Sequence, residues 1–312
     1  MTEGYRALRS GAAWVNVSAR GRIAVTGRDR ARLLHNITSN EVKKLSPGAG
    51  CYAFLLTPQG RIQADLVLLA FADRFLIDTE PELRDKVQQH IRRYIIADQV
   101  TLEDVTASTA SVALEGPGAA GMLAAMGAPV PGADYEHLSW GEWTVARIGL
   151  TGQPGFRFFG PAEADSQLQS KLAAAGAKPA SETDIRQVRI ENGRPRYGED
   201  IRETSLPQET GAMHAVSFTK GCYLGQEIVE RIRAQGHVNK KLVGLEIAAS
   251  EPFPPGSKLT IGGGEAGEIT SSVHAPESDK VWALAYVRTA YAEPGKVLEV
   301  NGVAAVITGG RS

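Results

Sequence analysis

The chain contains few of the residues that define several common classes of protein. It carries 2 cysteines in 312 residues, Cys51 and Cys222, and these two lie too far apart for a C-x-x-C motif. This scarcity argues against a disulfide framework, a cysteine-rich zinc site and a complete set of cluster ligands. The 6 histidines are scattered without a close ligand pair, so we predict no metal site.

An excess of charge of one sign and a long apolar run are also lacking. The net charge of −1 gives no global reason to bind nucleic acid or an acidic membrane. No apolar run approaches the length of a membrane span, and the N-terminus lacks the apolar core of a signal peptide. We therefore expect a cytoplasmic protein with no membrane partner and no specific nucleic-acid partner.

Familiar catalytic motifs are missing as well. The sequence has no G-x-S-x-G nucleophile elbow and no H-E-x-x-H zinc helix. The run Gly262-Gly263-Gly264 lacks the lysine and hydroxyl of a phosphate-binding loop, so we interpret it as a turn.

The order of predicted elements indicates an α+β protein. Cys51–Leu56 and Ile62–Ala70 are typical of two strands joined by a turn, and Thr79 with Glu82 resembles the capping box of a helix. Strands and helices alternate without a long βαβ series, which argues against a doubly wound sheet. Beyond Gly236, short strand candidates separated by turn residues predict a small barrel or sandwich.

The segment Lys220–Glu227 holds the most informative cysteine. Cys222 stands between two glycines, after a stretch at 212–218 that we interpret as extended. Downstream apolar residues recur at a helical spacing: Leu224, Ile228 and Ile232. We therefore expect Cys222 in the first turn of a helix, where backbone N–H groups and Lys220 would lower the pKa of an exposed thiol. The alternative is a small buried residue with no reactivity.

Three further places combine charge with backbone constraint. Asp65 lies in an apolar strand, where a carboxylate needs partners or a polar cavity, unless it faces solvent or forms a structural ion pair. Glu191 ends a helix, which is unfavourable for a carboxylate unless a ligand donates hydrogen bonds or the side chain is solvated. Arg231 belongs to a basic concentration that is either a solvated face or an anion site.

The combined motifs resemble a known family. They are Val25–Asn40, Leu45–Gly48, the G-x-I-x-x-D stretch ending at Asp65, the R-I-E-N-G stretch at 189–193 and Ala283–Arg288. These stretches look like the folate-binding superfamily of glycine cleavage T-proteins. The segment Lys220–Glu227 is similar to the signature of its YgfZ branch, which is associated with assembly or repair of iron–sulfur proteins.

The resemblance implies a fold and a cofactor. The expected fold is a three-part ring around a tetrahydrofolate channel, with two interleaved α+β portions in residues 1–238 and a C-terminal β-barrel in residues 239–312. It implies that Asp65 lies beside the reactive folate nitrogens and that Glu191 accepts hydrogen bonds from the pterin. We assign Lys220 and Arg231 to the cofactor site and expect Cys222 to lie there too.

Two functions follow from the resemblance. The first is a tetrahydrofolate-binding, YgfZ-like factor that supports iron–sulfur client or assembly proteins through Cys222. The second is a folate-dependent one-carbon transferase, an aminomethyltransferase or demethylase, for which Asp65 is retained. Ala64 stands where T-proteins usually have the first aspartate of a pair, and their matching segment ordinarily lacks Cys222, so transferase activity is left open.

Overall fold

The computed structural model describes residues 1–309, apart from the side chain of residue 235. Its strands are, in chain order, β1 (Ala13–Asn16), β2 (Gly21–Thr26), β3 (Gly50–Leu56), β4 (Ile62–Ala70), β5 (Phe75–Thr79), β6 (Thr101–Asp104), β7 (Thr109–Glu115), β8 (His137–Trp140), β9 (Trp143–Ala146), β10 (Gly155–Pro161), β11 (Lys178–Pro179), β12 (Lys240–Ile247), β13 (Lys258–Ile261), β14 (Gly264–Ala275), β15 (Lys280–Arg288), β16 (Val297–Val300) and β17 (Val303–Thr308). Its helices are α1 (Glu3–Ser10), α2 (Arg30–Ile37), α3 (Arg84–Arg93), α4 (Ala119–Ala125), α5 (Asp165–Ala174), α6 (Glu182–Glu191), α7 (Pro207–Thr210) and α8 (Gln226–Gln235).

The first sheet is antiparallel and has the strand order β3-β4-β5-β2-β6. Its β3–β4 hairpin confirms the prediction from the turn residues, with a register shift between Leu55 and Leu56. One face of the sheet packs against α2 and α3 through a core that includes the fully buried Leu34, Val87 and Ile91. The apolar spacing in these helices therefore reports their buried faces correctly.

The second sheet interleaves with the first along the chain. Its order is β11-β1-β7-β10-β9-β8, so β1, from the beginning of the chain, pairs with strands that follow residue 108. A small cluster joins the two sheets, with Val67 and Leu69 on one side and Ile148 and Phe159 on the other. The predicted α+β class with two interleaved portions is thereby confirmed.

The C-terminal strands close into a barrel of order β12-β15-β14-β13-β16-β17. Pairing of β12 with β17, where Leu245 lies opposite Ile307, closes the barrel and leaves no free sheet edge between them. Its interior is apolar, as the period-two pattern of these strands predicts. The barrel prediction is confirmed, although the last three residues of the predicted segment 239–312 lie outside the described residues.

Three local predictions are wrong. The stretch 212–218 contains a 3-10 turn at Met213–Ala215 and is not an extended strand. Thr79 caps no helix, because it ends β5 and its hydroxyl donates to the carbonyl of Asp65 at 2.8 Å. Cys222 lies outside any helix, since α8 begins only at Gln226.

Gly225 is the reason that the last helix begins late. It precedes α8 with φ of 84°, a left-handed conformation that interrupts a helix running back to Cys222. A Cβ at this position would lie 2.5 Å from the carbonyl oxygen of Thr57 in the β3–β4 turn. Across residues 1–309, no helix combines the length and apolar character that crossing a membrane requires.

Replacing Gly225 should therefore destabilise the protein, whereas the other glycine of the same segment should tolerate the change. Gly225→Ala is expected to lower the free energy of unfolding by about 1–3 kcal/mol, because alanine is strained at this torsion and meets Thr57. Gly221→Ala has open space around its Cβ and should change it by no more than about 0.5 kcal/mol. Urea denaturation of both variants checks this. Equal effects would contradict the role given to Gly225.

Candidate functional site

A central cavity of ≈ 1160 Å³ lies where the two sheets and the barrel meet. The first sheet contributes Asp65 to its wall, the second sheet contributes Arg157, and α6 contributes Glu191. Leu242 and Trp282 of the barrel complete the enclosure. Because all three parts of the fold form the wall, the cavity exists only when they are assembled.

Asp65 presents a carboxylate to this cavity. Its neighbours Ala64 and Leu66 point into the core, and strand alternation therefore turns Asp65 to the opposite face of β4. The Tyr52 hydroxyl donates to Oδ2 at 2.8 Å, while the buried Oδ1 has no hydrogen-bond partner in the part of the chain that the structure describes. Burial raises the pKa of Asp65 to about 6, the charge of Glu80 adds to the rise, and the Tyr52 hydrogen bond opposes it.

Glu191 lines the same cavity at the C-terminal end of α6. Ser181 and Asp184 begin this helix with a capping box, which fixes its start. The side chain of Glu191 is only 5 % exposed, so the alternative of a solvated glutamate is wrong. Tyr5 donates to its oxygens at 3.1 and 3.0 Å, and Gln187 donates at 2.6 Å. Burial raises the pKa of Glu191, and these donors oppose the rise.

Besides Tyr52, the cavity wall includes three residues that no sequence motif singles out: His214, Arg194 and Tyr135. The His214 ring stacks on Tyr52, with centroids 5.4 Å apart and planes 24° apart. Burial lowers the pKa of His214, and the charge of Arg194 lowers it further. Tyr135 also lines the cavity and has φ of 64°, which is rare for a residue other than glycine.

A buried charge network supports the cavity wall. Asp78 of β5 is fully buried and accepts a hydrogen bond from Arg157 of β10 at 2.6 Å. Arg20 donates to the same carboxylate at 2.9 Å, so two guanidinium groups compensate its desolvation. The charge of Arg157 and then of Arg20 holds the pKa of Asp78 below its usual range, against the effect of burial. This network joins the two sheets beside the site.

Lys220 has a structural position away from the cavity. Its ammonium is buried and donates to the backbone carbonyls of Thr38 at 2.6 Å and Asn40 at 2.9 Å, and also to that of His35. Burial lowers the pKa of Lys220 to about 8. These bonds fix the cysteine segment against the residues that follow α2.

Cys222 lies in a second cleft of ≈ 670 Å³, whose wall also includes His35 and Tyr94. The cysteine is exposed, whereas Cys51 is buried and burial raises the pKa of its thiol to about 12. Neither Cys222 nor Lys220 nor Arg231 lines the central cavity. The expectation that Cys222 lies beside Asp65 and Glu191 is therefore wrong, because Lys220 anchors its segment elsewhere.

Two family models match the chain in succession. The GCVT N-terminal domain matches residues 1–220, and the glycine cleavage T-protein C-terminal barrel domain matches residues 240–306. The chain belongs to the glycine cleavage T-protein family. The two models divide this T-protein homologue where the interleaved sheets give way to the barrel.

Individual relatives agree with this assignment. The T-protein homologue is 33% identical over 297 residues to an aminomethyltransferase of Rubrobacter xylanophilus, covering 91% of this chain and 78% of that protein. It is 28% identical over 317 residues to an aminomethyltransferase of Nostoc, covering 96% and 83%. The crystal structure of the glycine cleavage system aminomethyltransferase T from Bartonella henselae superimposes with a TM-score of 0.90 at 22% identity, covering 99% of this chain and 88% of that one. The last comparison shows the shared fold.

The geometry predicts how Asp65 titrates. We expect a pKa near 6 for Asp65 in the wild type. Its pKa should be higher in Tyr52→Phe, because this variant lacks the hydroxyl whose hydrogen bond stabilises the ionised carboxylate. Carboxyl ¹³C NMR checks both values, and a pKa near the ordinary aspartate value of 3.8 in both proteins would contradict this expectation. Since folding raises this pKa, the contribution of Asp65 to stability is lost as the pH rises through about 4 to 6, and Asp65→Asn should abolish that dependence.

Proposed function

We propose that this T-protein homologue binds tetrahydrofolate in the central cavity. The observation that carries the proposal is that Asp65 and Glu191, which the family resemblance links to folate, line one cavity. Its volume of ≈ 1160 Å³ lies just above the roughly 300–1,000 Å³ of typical ligand pockets, so it has room for a ligand larger than a single ring system. The two carboxylates supply acceptors for a ligand rich in N–H donors.

Glu191 is the proposed acceptor for the pterin. A carboxylate has about four lone-pair positions, so the bonds from Tyr5 and Gln187 leave acceptor capacity on its two oxygens. The same bonds fix the orientation of the carboxylate before a ligand arrives, which reduces the entropy lost on binding. A pterin that presents paired N–H groups would bind to it in parallel.

Asp65 is the proposed group beside the reactive folate nitrogens. Its Oδ1 has no partner within the described residues and can accept or donate a proton on the ligand side. A pKa of about 6 lies close enough to neutrality for both protonation states to be accessible. Tyr52 holds the other oxygen and so fixes the direction of the first.

We propose further that the protein is a YgfZ-like factor that supports assembly or repair of iron–sulfur proteins through Cys222. The supporting observation is an exposed thiol in a cleft separate from the folate cavity, where a partner protein has access. Residues 1–309 contain no group of His, Cys, Asp and Glu side chains suited to a metal ion. The partner would therefore supply the remaining ligands or the substrate thiols.

A one-carbon transferase is the second candidate. The observation in its favour is that Asp65 is retained at the cavity, with one oxygen that has no hydrogen-bond partner among residues 1–309. Relatives that match 91% and 96% of this chain are named aminomethyltransferase. In this function Cys222 would be dispensable, because it does not line the cavity that holds the folate.

The role of Glu191 predicts a loss of folate affinity. Glu191→Gln should weaken binding of tetrahydrofolate by about 10-fold or more, since a charge-assisted hydrogen bond becomes a neutral one and one acceptor becomes a donor. Isothermal titration calorimetry measures this. The control is Glu163→Gln, which removes an exposed carboxylate that does not line the cavity and should leave the affinity within about 2-fold. Equal affinities for all three proteins would contradict the site.

The two candidate functions predict opposite results from one pair of assays. If the protein is an iron–sulfur factor, it should rescue a strain that lacks its own YgfZ-like protein, and Cys222→Ser should abolish the rescue. If it is a transferase, it should form methylenetetrahydrofolate from an amine donor, and Asp65→Asn should abolish turnover while Cys222→Ser retains it. Full rescue by Cys222→Ser would contradict the role of the thiol.

A further inference from the structure

The arginines that line the central cavity are not equivalent. All but one of them form ion pairs with carboxylates: Arg20, Arg147, Arg157, Arg186, Arg189 and Arg196. Arg194 is the exception, because its guanidinium has no carboxylate within ion-pair distance among residues 1–309. It is therefore the cavity cation whose charge the protein leaves uncompensated.

The main chain at Arg194 is held firmly. Its N–H donates to the carbonyl of Arg189 at 2.8 Å, and Nη1 of Arg189 donates to its carbonyl at 2.9 Å. Arg189 is fixed in turn by Asp200, which it contacts at 2.7 Å. Gly193 has φ of 71°, and it turns the chain away from the end of α6. The position of the Arg194 Cα is thus set before any ligand binds.

Tyr135 lines the same cavity as Arg194. Burial raises the pKa of its hydroxyl, and the nearby charge of Arg194 is the largest effect that opposes the rise. The backbone of Tyr135 has φ of 64°, and its N–H donates to the carbonyl of Arg147 at 2.9 Å. Such a conformation costs about 1–3 kcal/mol in a residue other than glycine and tends to persist at ligand sites.

We propose that Arg194 and Tyr135 form a carboxylate-binding subsite of the central cavity. A guanidinium offers two parallel N–H donors to a carboxylate, and the phenol adds an O–H donor. One uncompensated cation matches a ligand group with a single negative charge. The inference rests on the proposed function, because the carboxylate belongs to the folate glutamate or to an amino-acid donor of the one-carbon unit.

Binding of probes with and without a carboxylate tests the subsite. The probes are tetrahydrofolate, 6-methyltetrahydropterin, which lacks the tail, N-(4-aminobenzoyl)-L-glutamate, which lacks the pterin, and sarcosine as an amino-acid donor. Arg194→Met should weaken binding of a carboxylate probe by about 10- to 100-fold, the loss expected for a charge-assisted hydrogen bond. It should leave the affinity for 6-methyltetrahydropterin unchanged. Arg194→Lys should restore part of the loss, because it keeps the charge without the paired donors.

The control is Arg84→Met, which removes an arginine that pairs with the exposed Asp85 and does not line the cavity, and it should change each affinity by less than about 2-fold. Unfolding midpoints of all variants verify that they fold. If Arg194→Met weakens binding of tetrahydrofolate and of N-(4-aminobenzoyl)-L-glutamate, the subsite binds the glutamate tail of folate. If it weakens binding of sarcosine alone, the subsite binds the amino-acid donor. The proposed function is overturned if the wild type binds neither tetrahydrofolate nor 6-methyltetrahydropterin. In that case N-(4-aminobenzoyl)-L-glutamate and sarcosine still test the subsite. The inference is overturned if no carboxylate probe distinguishes Arg194→Met from the wild type.

Discussion

The contact on which the site depends is the ion pair between Asp78 and Arg157. Both side chains are at most 1 % exposed, and their atoms lie 2.6 Å apart across the boundary between the first and second sheets. Removing one member of such a pair leaves a buried charge and typically costs about 3–5 kcal/mol. The pair therefore fixes the relation between two sheets that are interleaved in sequence. A second buried contact, in which Asp200 accepts from Thr270 and Ser271 at 2.6 Å, attaches the barrel.

The charged side chains of the cavity region fall into two groups: those that hold the fold together in ion pairs and those that remain able to bind a ligand. Asp78 and Asp200 are each neutralised by arginine, and they hold the three parts of the fold together. Asp65 has a tyrosine partner and, among residues 1–309, no ion pair, and burial raises its pKa toward neutrality. Among the arginines of the cavity, Arg194 is likewise the one that forms no ion pair with a carboxylate of residues 1–309. Charged groups of the cavity wall without an ion pair keep capacity for a ligand.

The sequence predicts the secondary-structure elements more accurately than it predicts which distant residues come together at the cavity. The β3–β4 hairpin follows from its turn residues, and Asp65 was found because a carboxylate is rare in an apolar strand. Its partner Tyr52 could have been inferred from the hairpin register, since Tyr52 pairs with Val67 and is thus a diagonal neighbour of Asp65. His214 and Arg194 gave no such local signal, because distant segments bring them to the cavity.

The cysteine segment illustrates the same division. The apolar spacing after Leu224 correctly predicted a helix, but its start depends on the torsion of Gly225, which residue types alone do not fix. The site of Cys222 depends on Lys220, whose ammonium is bound by carbonyls near residues 35–40. A lysine beside a cysteine suggested an effect on the thiol, whereas the structure uses it to anchor the segment.

The central claim is that the cavity shared by the two sheets and the barrel holds folate. A crystal structure of the protein with tetrahydrofolate tests it most directly. We expect one folate per chain in this cavity, with pterin N–H groups on the carboxylate of Glu191 and the reactive nitrogens beside Asp65. Folate bound in the cleft of Cys222, or absent at saturating concentration, would contradict it.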